Sequence, residues 1–173
     1  MTSNCRATAA ACAVAASIAV ISAKGMTTRI VIAGSQLNEP IQLRDRDVVA
    51  PFNVWSGPGT TMNGVEGFDG FIIDWHSGAV EPPITKLQQF EISFYVDDKP
   101  SGSDRVAYVV SYGRDPETGN GYVYLPGAGD SRYGSNVRAI IRGSNYEGHW
   151  FRASSAWQSV IRTYLVGRLP RRR

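Results

Sequence analysis

Apolar and polar residues alternate most regularly between positions 87 and 96. Phe90, Ile92, Phe94 and Val96 point one way, and Gln89, Glu91, Ser93 and Tyr95 the other. A period of two predicts a strand with one buried face and one wetter face. The alternation resumes over 105–112, beyond the loop Asp97-Asp-Lys-Pro-Ser-Gly102. The stretch 28–33 (Thr-Arg-Ile-Val-Ile-Ala) is β-branched and stops at Gly34, which predicts a first strand. Shorter strands are predicted at 41–43, 71–75, 122–125, 137–141 and 149–152. The cluster Asp115-Pro-Glu-Thr-Gly-Asn-Gly121 carries turn residues and joins 105–112 to 122–125 as a hairpin.

Two segments repeat at helical spacing instead. Over 45–52, Asp45 can cap a short helix with Val48, Val49 and Phe52 on one face, and Pro51 ends it. Over 154–165, Trp157, Val160, Ile161, Tyr164 and Leu165 form an apolar stripe behind a serine cap, with Gly167 and Pro170 as stops. Trp157 on that stripe is expected in the core. Between these patterns, 53–70 holds five glycines and one proline and reads as a long loop. The sum is a mainly β (α+β) fold. It is a single antiparallel sheet or sandwich of five to seven strands, with a C-terminal amphipathic helix on one sheet face. At 173 residues the chain fits one domain, placed at 26–168, with 169–173 as a basic tail.

Residues 1–25 follow another pattern. Arg6 precedes an uncharged stretch, Ala7 to Ala23, and small residues close it. This is the layout of a secretory signal peptide cut after Ala23 or Gly25. The core is mostly alanine, a weaker insertion signal than leucine. The same seventeen residues could act as an N-terminal anchor, and Met26 could be the true start of a cytoplasmic protein. Export, to a secreted or periplasmic location, is the leading expectation. Both cysteines, Cys5 and Cys12, lie in this segment, so thiol catalysis in the body is excluded.

Composition narrows the classes further. Apolar residues make up 43% and charged residues 19%, a globular balance. A formal charge of +3 does not point to nucleic acid. That charge is unevenly spread. From Met26 to Ser131 there are seven Lys/Arg against fourteen Asp/Glu; from Arg132 onward there are nine Arg and one acid, Glu147. The basic end either packs on the acidic sheet of its own domain or offers a face to an anionic partner.

Candidate chemistry is sparse. Asp74-Trp75-His76 would set Asp74 and His76 on one side of a strand, where such a pair can orient a general base. His149 could join them if the fold brings it close. With two histidines, no metal site is assigned and no cofactor is implied. Gly129-Asp130-Ser131 looks like an esterase block, yet no Asp-x-x-His accompanies it, and it reads as a turn after Pro126. No phosphate loop, dinucleotide fingerprint or Gly-x-Ser-x-Gly elbow is present. The aromatics are the fuller feature. Trp55, Tyr122, Tyr124 and Trp150 are candidates for an exposed platform that takes sugar rings or peptides.

The run Gly121-Tyr-Val-Tyr-Leu-Pro-Gly127, then Asn136-Val137, Arg142-Gly143 and Gly148-His-Trp-Phe-Arg-Ala-Ser-Ser-Ala-Trp157, resembles a group of uncharacterised bacterial secreted or lipoprotein-like proteins. The blocks 30–34 and 90–95 fit the same resemblance. It implies export and a bacterial origin, and transfers no activity and no catalytic residue.

The expectation is an exported, non-enzymatic binding or envelope domain with an aromatic surface. Its partner would be a saccharide, a peptide or an envelope component, and it would meet membrane only through an uncleaved N-terminal segment. The alternatives are a hydrolase or metal-dependent enzyme using Asp74, His76 and His149, and a structural envelope component with a basic C-terminal face. Mass spectrometry of compartment fractions from the host tests export. An extracytoplasmic chain beginning at Lys24 or Met26 is expected. A chain retained from Met1 in the membrane fraction would identify the anchor instead.

Overall fold

The computed structural model describes residues 25–58, 61–62, 65–66, 70–81, 86–98, 102–136 and 145–169. Seven antiparallel strands form one sheet: β1 (Thr27–Ala33), β2 (Ile41–Leu43), β5 (Ala79–Val80), β6 (Gln88–Asp98), β7 (Ser103–Arg114), β8 (Gly121–Tyr124) and β9 (Trp150–Arg152). Their spatial order is β2-β1-β6-β7-β8-β9-β5. Two short strands, β3 (Thr61–Met62) and β4 (Val65–Glu66), pair separately inside the glycine-rich 53–70 stretch. The helices are α1 (Arg46–Val49), α2 (Tyr133–Asn136) and α3 (Ser155–Tyr164). The sequence-predicted class, one antiparallel sheet with a C-terminal helix, is the class observed.

The alternation in β6 sets the layering. Phe90, Ile92, Phe94 and Val96 are buried, as are their cross-strand neighbours Ile30, Ile32, Tyr108, Val110 and Tyr112. Val123 and Phe151 continue that face on β8 and β9. An apolar sheet face must be covered. The cover is α1, the segment 52–55, residues 71–75 and α3. Trp157 of α3 is fully buried, with ring centroids 5.1 Å from Phe52, 6.4 Å from Tyr112 and 6.5 Å from Phe94. Truncating a buried ring of this size costs about 3–5 kcal/mol.

Local chemistry places the cover. The Ser154 hydroxyl accepts from the Trp157 amide at 3.2 Å and donates to the Phe71 carbonyl at 3.3 Å. One side chain therefore starts α3 and ties it to the 71–75 segment. Asp45 caps α1 through the Asp47 amide, as its sequence implied, and the helix is shorter than the predicted 45–52 because only four residues precede the turn into Pro51. The stretch 71–75 is not the strand that its apolar run predicts. Only Ile73 bridges to Ala153, and a 3-10 turn, Trp75–Ser77, follows. Phe71, Ile72, Ile73 and Trp75 are nonetheless all buried. An unbroken apolar run marks burial without dictating a strand. α3 ends at Tyr164, ahead of Gly167, and passes into a 3-10 turn at Val166–Arg168. The predicted strand at 137–141 lies outside the described residues.

The predicted hairpin turn forms between β7 and β8. Asp115 accepts from the amides of Glu117 and Thr118 and from the Thr118 hydroxyl, while Gly119 takes φ +78°. Such self-bonding is why aspartate and glycine favour turns. β8 pairs only the C-terminal part of β7, from Ser111 to Arg114. At Val109, two residues beyond Ser111, the Asn136 side chain takes the place of a strand. Its amide donates to the Val109 carbonyl at 2.6 Å and its oxygen accepts from the Val109 amide at 2.7 Å.

Tyr112 is fully buried, and among the described residues its hydroxyl has no hydrogen-bond partner. Burial pushes that hydroxyl's pKa up to about 12. A methyl placed on Gly121 would run into this hydroxyl and ring edge. Tyr112→Phe is therefore expected to leave the melting temperature unchanged or raise it, since it removes an unsatisfied buried group. Gly121→Ala is expected to cost about 1–3 kcal/mol in urea unfolding. A clear loss of stability in Tyr112→Phe would overturn this view of the core.

Candidate functional site

The second sheet face carries the exposed chemistry. Period-two alternation sends Tyr122 and Tyr124 of β8 and Trp150 and Arg152 of β9 to this face, because Val123 and Phe151 turn inward. Register makes the neighbours explicit. Tyr124 lies opposite Trp150, and Tyr122 opposite Arg152. The Tyr124 and Trp150 ring centroids are 5.3 Å apart with planes at 39°. Tyr122, Tyr124 and Trp150 are half-buried, and Arg152 is exposed. Three of the four predicted aromatic residues are thus brought together.

Trp55 is the exception. It is buried, its indole N–H donates to the Gly25 carbonyl at 2.8 Å, and its amide bonds the Asn53 side chain. It belongs to the covering layer of the core, not to the open face. Sequence alone could not separate it from the others, because no period of two runs through 53–58.

The aromatic row continues into polar positions. Ser111 lies across from Tyr124, and Glu91 across from Ser111. A shallow depression of about 460 Å³ sits there, lined by Ala33, Gly34, Ser35, Gln89, Glu91 and Ser111. Arg132 reaches over this face to grip Glu91 at 2.7 and 3.0 Å. That ion pair joins the basic C-terminal part of the chain to the acidic sheet. The Asp130 carboxylate accepts from the Tyr124 hydroxyl at 2.8 Å and the Gly127 amide at 2.7 Å. Burial, then Asp130, raises the Tyr124 hydroxyl's pKa. The Gly129-Asp130-Ser131 block is accordingly turn structure. Near the far end of β6, Arg29 forms a two-point pair with Asp104 at 2.8 and 2.9 Å and lies 3.6 Å over the Tyr95 ring.

The proposed acid–base residues do not share a strand face. Asp74 precedes the 3-10 turn, and its carboxylate accepts from the Ser77 hydroxyl at 2.5 Å and the Ser77 amide at 3.4 Å. A short polar side chain that bonds its own backbone ends regular pairing, which is why no strand carries Asp74 and His76 together. His76 is exposed inside that turn, and His149 is exposed just ahead of β9. Among the described residues, no group of three or more His, Cys, Asp or Glu is placed to hold a metal ion. Among the same residues, no helix is long and apolar enough to cross a membrane.

No protein-family model matches the chain, and no match was found among curated proteins or solved structures.

Three carboxylates have their pKa held below the ordinary 3.8. Asp104 is lowered chiefly by its bond from Arg29, Asp74 by its bond from the Ser77 side chain, and Asp115 by the Glu117 amide. A depressed folded-state pKa adds stability above 3.8 that disappears as pH falls through the folded value. Asp104→Asn is expected to lower the urea midpoint at neutral pH and to flatten its fall on acidification. Parallel acid limbs for wild type and variant would show that the Arg29 pair contributes nothing to the pH dependence.

Proposed function

We propose that this chain is an exported, non-enzymatic domain that binds saccharide on the open sheet face. The observation that carries the reading is the ring group Tyr122, Tyr124 and Trp150 on the side of the sheet away from the core. Packing of aromatic pairs across strands stabilises a sheet by about 0.2–1 kcal/mol and accounts for Tyr124 against Trp150. It does not account for Tyr122, which faces an arginine rather than a ring.

The chemistry suits a flat ligand. Ring faces receive the apolar C–H face of a pyranose, and nearby polar groups receive its hydroxyls. Gln89, Glu91 and Ser111 supply such groups beside the rings. Trp150 and Glu91 are three strand steps apart, about 15 Å, which gives room for more than one sugar unit. The export reading rests on the uncharged stretch at 7–23 behind Arg6 and on the resemblance to bacterial secreted proteins.

NMR titration with a panel of oligosaccharides tests the binding. Trp55, Trp75 and Trp157 are buried, so an indole shift confined to Trp150 is expected, with shifts at Tyr122 and Tyr124. Trp150→Ala is expected to weaken binding on the order of tenfold while the fold is retained. Shifts that map to none of these three residues, or a panel with no binder, would sink the proposal.

A further inference from the structure

The open face carries one more distinction, and it rests on the saccharide reading. We infer that Arg152 makes this face selective for sugars that carry a carboxylate. Arg152 stands directly across from Tyr122 and two residues along β9 from Trp150, so all three share one face. Opposite residues on paired strands hold their Cβ atoms about 4.5–5.5 Å apart. A pyranose lying on the Tyr122 and Trp150 rings would therefore bring a substituent at its edge within reach of the guanidinium.

Among the described residues, Arg29 and Arg132 on this face are already engaged. Arg29 is held by Asp104 through two bonds and covers Tyr95. Arg132 is held by Glu91 through two bonds. Arg152 is exposed and, among the described residues, its guanidinium makes no hydrogen bond or ion pair. Its planar fork matches a carboxylate at two points, and a guanidinium is only weakly hydrated.

The nearby acids give the site a direction. Asp130 lies beside Tyr124, and Glu91 lies beyond Ser111. Asp130 disfavours a second carboxylate at that side, while the Glu91 charge is offset by Arg132. The acidic sugar belongs at the β9 end, with neutral units running toward β6. A peptide fits less well. β8 and β9 are each paired on both sides, so the aromatic site offers no free strand edge for main-chain addition.

The test compares a neutral oligosaccharide bearing one terminal uronic acid with its carboxyl-reduced counterpart by calorimetry and NMR at one ionic strength. The proteins are wild type, Arg152→Gln, Arg152→Lys and Trp150→Ala, each checked by thermal melting. Wild type is expected to favour the uronate about tenfold, the value of one good charged contact. Arg152→Gln is expected to erase the preference and keep the affinity for the neutral glycan, and Arg152→Lys to restore it in part. Trp150→Ala is expected to weaken both ligands. A preference that survives Arg152→Gln, or equal binding of the two glycans by wild type, overturns the inference and leaves the stacking reading standing. Binding of acidic peptides with no glycan response, indifferent to Trp150→Ala, overturns both.

Discussion

Trp157 closes the structure. Its ring fills the space between α3 and the inner face of the sheet, touching rings from the covering layer and from β6 and β7. A seven-stranded sheet with one apolar face has no stable form in water until that face is covered. The cover here is thin: one ten-residue helix, one short helix and two irregular segments rich in large side chains. Their aromatic rings supply the buried area that helical length does not. Ser154 fixes this arrangement at one point, because its hydroxyl both caps α3 and holds the Phe71 carbonyl.

On the side away from the core, β8 and β9 keep side chains within reach of solvent. Three half-buried rings, an exposed arginine and a polar depression occupy that side, while the core is complete without them. Short polar devices keep the open face rigid. The Arg29–Asp104 pair braces β1 against β7, the Arg132–Glu91 pair ties the segment before α2 to β6, and Asp130 holds the Tyr124 hydroxyl in place. Braced side chains lose little further freedom when a ligand arrives, which favours binding. The same bracing uses up charges that would otherwise compete for the ligand.

Much of the fold was legible in the chain because burial writes a period. Phe90 to Val96 announced their layer, the turn at Asp115 announced its hairpin, and Trp157 announced the buried stripe of α3. Where no period exists, the reading was coarser. The run 71–75 is buried as expected, but it bends instead of pairing along its length. β5 passed unseen because Ala79 and Val80 are too few to show alternation, and only their pairing with Phe151 and Trp150 makes them a strand. The role of Asn136 was also hidden, since an isolated asparagine gives no sign that it will substitute for a strand 27 residues away.

The site divides along the same line. Tyr122 and Tyr124 share a face by arithmetic, because residues two apart in a strand must. Their meeting with Trp150 and Arg152 depends on which strand lies next to β8 and in which register, and that is set by long-range pairing. The sequence by itself determined a thiol-free mainly β body, an alternating sheet and a capped terminal helix, all consequences of local spacing and side-chain chemistry. Tertiary structure alone decided that Trp55 turns into the core, that Asp74 is held by Ser77, and that an arginine stands beside the open rings. Those outcomes come from contacts between residues far apart in the chain, and no local pattern encodes them.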